Sequence, residues 1–236
     1  MIGFLISTAA AAALTTLGYN SMAPRSQLFG STFTGNGAGS RQLALTFDDG
    51  PNDPHTLRLL DVLEKHGVKA TFFMIGRHVA LRPKVAEAVA RAGHVIGNHT
   101  FTHPNLIFCS RAQLQLQIAE CERALDDAVG PHSRLFRPPH GGRRPDVLTT
   151  VRRLGFVPIM WSATGYDWSA KHDQEIVDNV LRQLHGGDVL LLHDGGHLDM
   201  GIDRSATIAA TDRLIQRYRD AGYQFVTVEE MMNHGG

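Results

Sequence analysis

From residue 43 onward, short apolar runs alternate with longer segments in which apolar residues recur every three or four positions. Seven of the short runs are predicted to be strands, at residues 43–47, 70–75, 94–97, 135–137, 157–161, 188–192 and 224–228. Helices are predicted between them at residues 54–66, 77–92, 111–129, 145–154, 173–185 and 205–221. Strands that alternate with helices form a parallel sheet, so we expect an α/β fold, either open and doubly wound or closed as a barrel.

Polar and charged residues fall where these predicted strands end. Asp48 and Asp49 end the first strand, and His99 and His103 follow the third. The later strands are followed by Arg137, by Asp167 and Trp168, and by His193 and Asp194. A barrel collects the loops after all its strands into one pocket, whereas an open sheet collects only the loops near its switch point. We therefore expect an irregular barrel with one pocket at the carboxyl ends of its strands.

Two neighbouring carboxylates, Asp48 and Asp49, precede a Gly-Pro turn. Alone, this pattern favours residues that cap the following helix over a catalytic site. His99 and His103 have a spacing that can bring both imidazoles to one ion, although the 13 histidines of the chain make chance pairs frequent. One carboxylate with two imidazoles is a ligand set for catalytic zinc or another first-row divalent metal. The two motifs together therefore indicate a metal site.

The amino-terminal segment carries no charged side chain before Arg25. Residues 1–18 are predicted to be an export signal or a short membrane anchor, although they lack the Lys or Arg that usually begins a signal. We therefore expect an exported protein, either secreted or attached to the cell envelope. Residues 19–41 are rich in Gly, Ser, Thr and Asn and are predicted to be a flexible linker. Residues 42–236 then form a single domain.

Composition narrows the class of partner. The chain has 23 basic and 23 acidic side chains, so nothing indicates an electrostatic surface for nucleic acid. No phosphate-binding loop and no Gly-x-Ser-x-Gly motif is present, which removes the usual support for nucleotide hydrolysis and serine esterase chemistry. Cys109 and Cys121 are the only cysteines. Cys121 fits an apolar helical pattern and is predicted to be buried, which disfavours a disulfide between them without excluding it. We expect a monomer.

Five short motifs occur in order along the predicted domain, at residues 46–50 (Thr-Phe-Asp-Asp-Gly), 99–103 (His-Thr-Phe-Thr-His), 137–141 (Arg-Pro-Pro-His-Gly), 167–168 (Asp-Trp) and 191–193 (Leu-Leu-His). Their order and rough spacing resemble the NodB-homology polysaccharide deacetylases, carbohydrate esterase family 4, over residues 42 to 228. The resemblance implies a distorted (β/α)7-type barrel. It also implies an enzyme that removes acetate from the N-acetylglucosamine units of chitin oligomers, peptidoglycan or a related polysaccharide. The implied cofactor is Zn²⁺, or another divalent ion such as Co²⁺, Ni²⁺ or Mn²⁺.

The resemblance also implies roles for individual residues. Asp49, His99 and His103 would hold the metal, which polarises the acetyl carbonyl and acidifies water. Asp48 would be the general base, and His193 the general acid that protonates the departing amine.

Other positions would support these groups. Arg137 would orient Asp48, and Asp167 would lie beside His193 or Arg137. The backbone N–H of His140 would stabilise the oxyanion, and Trp168 and Leu191 would form the wall that accepts the acetyl methyl group. His140 stands where a tyrosine is common in the family, and Thr164 where an aspartate is common.

Three further histidines have no assigned role. His55, His172 and His197 are predicted to be exposed, with His197 on a glycine-rich loop from which it could also line the cleft. Two other functions stay open: a protein that binds saccharide through the same metal without turnover, and a hydrolase of a small non-sugar amide.

Overall fold

A curled parallel sheet forms the centre of the protein, which the computed structural model describes for residues 14–233. Its strands are β1 (Gln42–Asp48), β2 (Thr71–Met74), β3 (Val95–Asn98), β4 (Leu135–Phe136), β5 (Val157–Pro158), β6 (Ala163–Thr164) and β7 (Asp188–His193), and β8 (Gln224–Phe225) pairs with the start of β1. The main sheet order is β5-β4-β3-β2-β1-β7-β6, and every pairing in it is parallel. The expected α/β fold is therefore confirmed, as a half-barrel of seven strands.

Helices surround this half-barrel. They are α1 (described over residues 14–22), α2 (His55–Lys65), α3 (Gly76–Leu81), α4 (Pro83–Arg91), α5 (Arg111–Val129), α6 (Pro145–Arg153), α7 (Asp173–Leu181), α8 (Ser205–Asp220) and α9 (Val228–Asn233). The predicted helix at 77–92 is two helices, because Pro83 cannot donate a backbone hydrogen bond and a new helix starts with it. The short strand β6 and the helix α9 were not predicted.

Strand β1 carries the core on one face and the site on the other. Leu45 and Phe47 point into the main core, where they meet residues of the surrounding helices. Ala44 lies in a second apolar cluster, and the alternation of a strand places Thr46 and Asp48 on the same side as Ala44. Both faces of β1 are buried, as a central parallel strand requires. Asp48 therefore projects from the inner face at the carboxyl end of the strand.

Residues 33–36 close the side of the half-barrel that the main sheet leaves open. Phe33 bridges Ile159 just after β5, and Gly35 bridges Asp188 at the start of β7. The Phe33 side chain packs on the second apolar cluster. This corrects the predicted flexible linker, because residues 33–36 of segment 19–41 pair with the barrel strands and form part of the barrel wall. Glycine content indicated flexibility, but the tight approach to β7 requires glycine: a Cβ on Gly35 would lie 2.0 Å from the Gly187 carbonyl oxygen.

The beginning of the same segment is also held against the domain. Arg143, buried after β4, donates from its backbone N–H to the Ser21 carbonyl at 3.0 Å. Its Nη2 donates to the carbonyls of Ala23 and Ser26. Residues 1–13 of the predicted signal or anchor lie outside the described residues, and within 14–233 no helix is long and apolar enough to cross a membrane.

The two cysteines are not joined. Cys121 is buried in α5, as predicted, and Cys109 is a second free thiol that is partly buried.

Candidate catalytic and metal site

The carboxyl ends of the strands surround a cavity of about 520 Å³. Eight of the predicted site residues line it: Asp48, Asp49, His99, His103, His140, Trp168, Leu191 and His193. The remaining two, Arg137 and Asp167, are buried behind the wall and contact lining residues. The structure therefore brings together at one place the ten predicted site residues.

Asp49, His99 and His103 converge on one point at the floor of the cavity. Asp49 Oδ1 lies 3.5 Å from His99 Nε2 and 3.2 Å from His103 Nε2, and all three residues are buried. Asp49 and His103 adopt left-handed backbone conformations, with φ of 72° and 59°. Such a conformation is uncommon outside glycine and is often found at functional sites.

Hydrogen bonds fix which atoms face the centre of this group. His99 Nδ1 donates to the Arg137 carbonyl oxygen at 2.7 Å, so its Nε2 is left as an acceptor toward Asp49. Asp49 Oδ1 is buried and accepts no hydrogen bond within the described residues. A buried carboxylate oxygen without a donor is costly unless something satisfies it. The group therefore fits a divalent cation.

The protonation states also suit a cation. Burial raises the pKa of Asp49, but the neighbouring imidazoles of His197, His99 and His103 outweigh it and hold that pKa well below its usual value. Burial and the adjacent His99 lower the pKa of His103 to about 2. At neutral pH the group therefore offers one carboxylate and a neutral imidazole, the forms in which these side chains bind metals.

Asp48 is held by a buried arginine. Arg137 Nη1 donates to Asp48 Oδ1 at 2.7 Å and to Thr46 Oγ1 at 2.7 Å. The guanidinium lies over the ring of Phe73, 4.2 Å from its centroid. Because Oδ1 is occupied by Arg137, Oδ2 is the oxygen on the side of His99, 3.7 Å from His99 Nε2. Arg137 therefore orients one Asp48 oxygen toward the candidate cation position.

His193, the register partner of Asp48 on the neighbouring strand β7, forms a largely buried pair with Asp167. His193 Nδ1 donates to Asp167 Oδ1 at 2.8 Å, and the backbone N–H of His193 donates to Oδ2 at 2.8 Å. Thr207 Oγ1 donates to the same Oδ2. Burial opposes the charged imidazole, but Asp167 outweighs it and the pKa of His193 rises to about 9. His193 is therefore protonated at neutral pH.

The other predicted positions form the entrance and walls. His140 is exposed in a tight turn over Pro139–Gly141 and has φ of 55°. Trp168 is 51% exposed, and its ring lies 5.3 Å from that of His193. Leu191 is buried in the wall. Thr164, where an aspartate is common in the family, lies outside this cavity and accepts a hydrogen bond from the Tyr166 backbone.

Some site residues were missed or misplaced at the sequence level. His197 lines the cavity instead of pointing into solvent: its Nδ1 is 3.8 Å from Asp49 Oδ2. His55 is buried and accepts a hydrogen bond from the Arg204 backbone, whereas His172 is exposed as predicted. The signal for His197 was its position, because it follows a strand whose carboxyl end contributes to the pocket.

Two supporting groups, His78 and Arg204, had no sequence signal, whereas a third, Asp194, follows a predicted strand. His78 Nδ1 donates to the backbone oxygen of Asp49 at 3.0 Å. Arg204 Nε donates to the Gly195 carbonyl at 2.8 Å and so holds the loop before His197. Asp194 accepts from Thr56, and burial raises its pKa to about 7.

A half-barrel that gathers acid and base groups beside a possible cation position defines a hydrolytic enzyme of the α/β class. The family model described as Polysaccharide deacetylase matches residues 35–159, more than half of the chain. The chain therefore belongs to the polysaccharide deacetylase family, NodB homology or carbohydrate esterase family 4, and is a sugar deacetylase. The family resemblance of its five motifs is confirmed.

Individual relatives cover most of the chain. A chitooligosaccharide deacetylase of Sinorhizobium fredii is 40% identical over 195 residues, which cover 80% of this chain and 90% of that protein. A peptidoglycan-N-acetylglucosamine deacetylase of Bacillus cereus is 36% identical and covers 80% of this chain and 68% of its own length. Among solved structures, the Bc1960 peptidoglycan N-acetylglucosamine deacetylase has a TM-score of 0.78 at 35% identity, covering 85% of this chain and 91% of that one.

Proposed function

We propose that this protein uses a divalent cation, zinc before Co²⁺, Ni²⁺ or Mn²⁺, to hydrolyse the N-acetyl amide of N-acetylglucosamine units in an oligosaccharide or polysaccharide. The observation that carries the proposal is the buried group of Asp49, His99 and His103, in which Asp49 Oδ1 has no donor among residues 14–233. A cation held there supplies Lewis-acid polarisation of the acetyl carbonyl and lowers the pKa of water. The relatives named above support chitin oligomers and peptidoglycan as candidate substrates.

The chain's own side chains supply the proton transfers. Asp48 Oδ2 removes the proton from the attacking water, and the hydrogen bond from Arg137 holds the carboxylate in position. The His140 backbone N–H is proposed to donate to the oxyanion.

Collapse of the tetrahedral species needs a proton on the departing sugar nitrogen. His193 carries that proton because Asp167 stabilises its charged form. Its Nδ1 is engaged by Asp167, so Nε2 is the atom that donates. Trp168 and Leu191 are proposed to enclose the acetyl methyl group, since both line the cavity beside His193.

A binding protein without turnover is the alternative. A family 4 pseudoenzyme of Bacillus anthracis has the same fold, with a TM-score of 0.76 at 28% identity and coverage of 83% of this chain and 66% of its own. The Asp48–Arg137 and His193–Asp167 pairs of the present chain favour catalysis, because a carboxylate and an imidazole, each held by a buried partner, face one cavity.

The test is acetate release from N-acetylglucosamine oligomers of several lengths and from peptidoglycan fragments. The full chain is used, because residues 33–36 form part of the barrel wall. Chelated protein should be inactive, and added zinc should restore release. A chain that binds one zinc tightly and releases no acetate from any of these substrates would favour the binding role or a non-sugar amide.

The expected export or envelope attachment through residues 1–18 is part of this proposal, and fractionation of producing cells tests it.

A further inference from the structure

Three histidines form a second cluster at the mouth of the cavity. His103, His140 and His197 bring ring nitrogens within 4.8 Å of one another. Their ring centroids are 4.5 Å apart for His103 and His140, 4.7 Å for His103 and His197, and 5.1 Å for His140 and His197. This cluster shares only His103 with the group of Asp49, His99 and His103.

The three residues come from three different loops, after β3, in the turn that follows β4, and after β7. No segment of local structure forces them together.

The cluster has the chemical character of a ligand set. His103 Nε2 lies near Asp49, while His103 Nδ1 is buried and has no hydrogen-bond partner within the described residues. The His103 side chain is only 4% exposed, so solvent does not readily satisfy that nitrogen.

The cluster is also accessible. His140 is exposed and the His197 side chain is 38% exposed, so an ion can enter from solvent without movement of the core. Arg77 Nη2 donates to the His197 carbonyl at 2.7 Å and fixes the loop that carries it.

We propose that His103, His140 and His197 form a second divalent-cation site, separate from the one at Asp49 and His99. An all-imidazole set suits Cu²⁺, Ni²⁺ and Zn²⁺ and disfavours Mg²⁺, Ca²⁺ and Mn²⁺, which prefer oxygen ligands. To hold both ions at once, His103 would use one ring nitrogen for each, and its ring proton would be released to solvent.

The test counts ions bound to the full chain. Chelated protein is dialysed against increasing Ni²⁺, and bound metal is measured by mass spectrometry. Wild type should bind two ions per chain. The His140→Ala and His197→Ala variants should bind one tightly and show at least a tenfold weaker second ion. His172→Ala and His185→Ala, which remove exposed histidines elsewhere, should retain two. Mn²⁺ should reach no more than one.

Two outcomes would overturn the proposal: saturation of wild type at one ion, or a second ion that persists unchanged in both cluster variants. His140→Tyr and His197→Gln replace the alanine variants if circular dichroism shows that those do not fold. His99→Ala separates this site from the catalytic proposal, because it should lose the first ion and retain binding to the three-histidine site. Failure of acetate release with one zinc bound would reject the proposed function without affecting this count.

Discussion

Arg137 and Asp48 form an ion pair that is closed to solvent: the guanidinium is fully buried and its Nη1 lies 2.7 Å from Asp48 Oδ1. Breaking a buried pair from one side leaves an uncompensated charge, which costs about 3–5 kcal/mol. Arg137→Met should therefore lower the free energy of unfolding by about that amount, as measured by chemical denaturation.

The matched control is the exposed pair of Arg213 and Asp173. Arg213→Met should change stability by less than about 1 kcal/mol. The double variant Arg137→Met with Asp48→Asn should recover part of the loss, because no unpaired carboxylate remains. If the two arginine substitutions lowered the free energy of unfolding equally, the buried pair would contribute no more to stability than the exposed pair.

Asp48→Asn should abolish most turnover while leaving the cation in place. Removing a general base lowers the rate by about two to four orders of magnitude. The readouts are kcat for acetate release and metal content after dialysis. Asp61→Asn, on the exposed side of α2, is the control and should behave as wild type. A variant with near-normal kcat would remove Asp48 from the mechanism.

His99→Ala should remove the part of the zinc stabilisation that comes from an ion bound at Asp49, His99 and His103. A ligand at 100 times its Kd stabilises the native state by about 2.7 kcal/mol, so zinc should raise the Tm of wild type. In the variant, zinc should raise the Tm by less than it does in wild type, because the site at Asp49 is lost. The variant should also release no acetate. His172→Ala is the control, and a zinc-dependent Tm in His99→Ala equal to that of wild type would contradict the ligand assignment.

The pair of His193 and Asp167 should make the stability of the metal-free protein depend on pH. The pKa of His193 is raised to about 9 in the folded protein, against about 6.5 in the unfolded chain. The protonated form is therefore favoured by folding. Its stabilising contribution is fully present below about pH 6.5 and is lost as the pH rises through about 9.

Asp167→Asn should flatten this dependence, because it removes the carboxylate that holds the proton on His193. Denaturation at several pH values between 6 and 10, after chelation, measures the effect. Asp173→Asn, which alters only an exposed ion pair, should retain the wild-type profile. An identical profile in Asp167→Asn would mean that Asp167 does not hold the His193 proton.

Alanine substitutions at Gly35 and Gly37 test whether residues 33–36 close the barrel. Both have positive φ, so alanine at either position carries a backbone cost of about 1–2 kcal/mol. Only at Gly35 would the new Cβ also collide with a backbone oxygen, that of Gly187, because nothing lies within 4 Å of a Cβ at Gly37. Gly35→Ala should therefore be clearly the less stable variant in denaturation, and equal stabilities would mean that residues 33–36 do not close the barrel.

The sequence predicted the site well because its residues follow a simple rule. Asp48, His99 and Arg137 each end an apolar run, and the carboxyl ends of parallel strands meet at one edge. The fold class followed from the same alternation. Neither inference required any knowledge of side-chain contacts.

Features that depend on tertiary contacts could not be predicted in the same way. Phe33 is a single apolar residue among turn formers. Only its contact with the second apolar cluster shows that residues 33–36 belong to the barrel. His55 and His197 looked like solvent-exposed residues because their partners, Arg204 and Asp49, are distant in sequence. The break before Pro83 was readable locally, but apolar periodicity on both sides concealed it.

The contacts of Arg143 also limit how far the enzyme can reach. A free segment over residues 19–41 could stretch to about 80 Å and let the cleft sweep a wide area. The hydrogen bonds from Arg143 to the carbonyls of Ala23 and Ser26 hold this segment against the domain, so it cannot extend to that length. Were residues 1–18 held in a membrane, the cleft would work at a fixed, short height above it. The enzyme would then deacetylate only polysaccharide chains that lie close to the membrane surface.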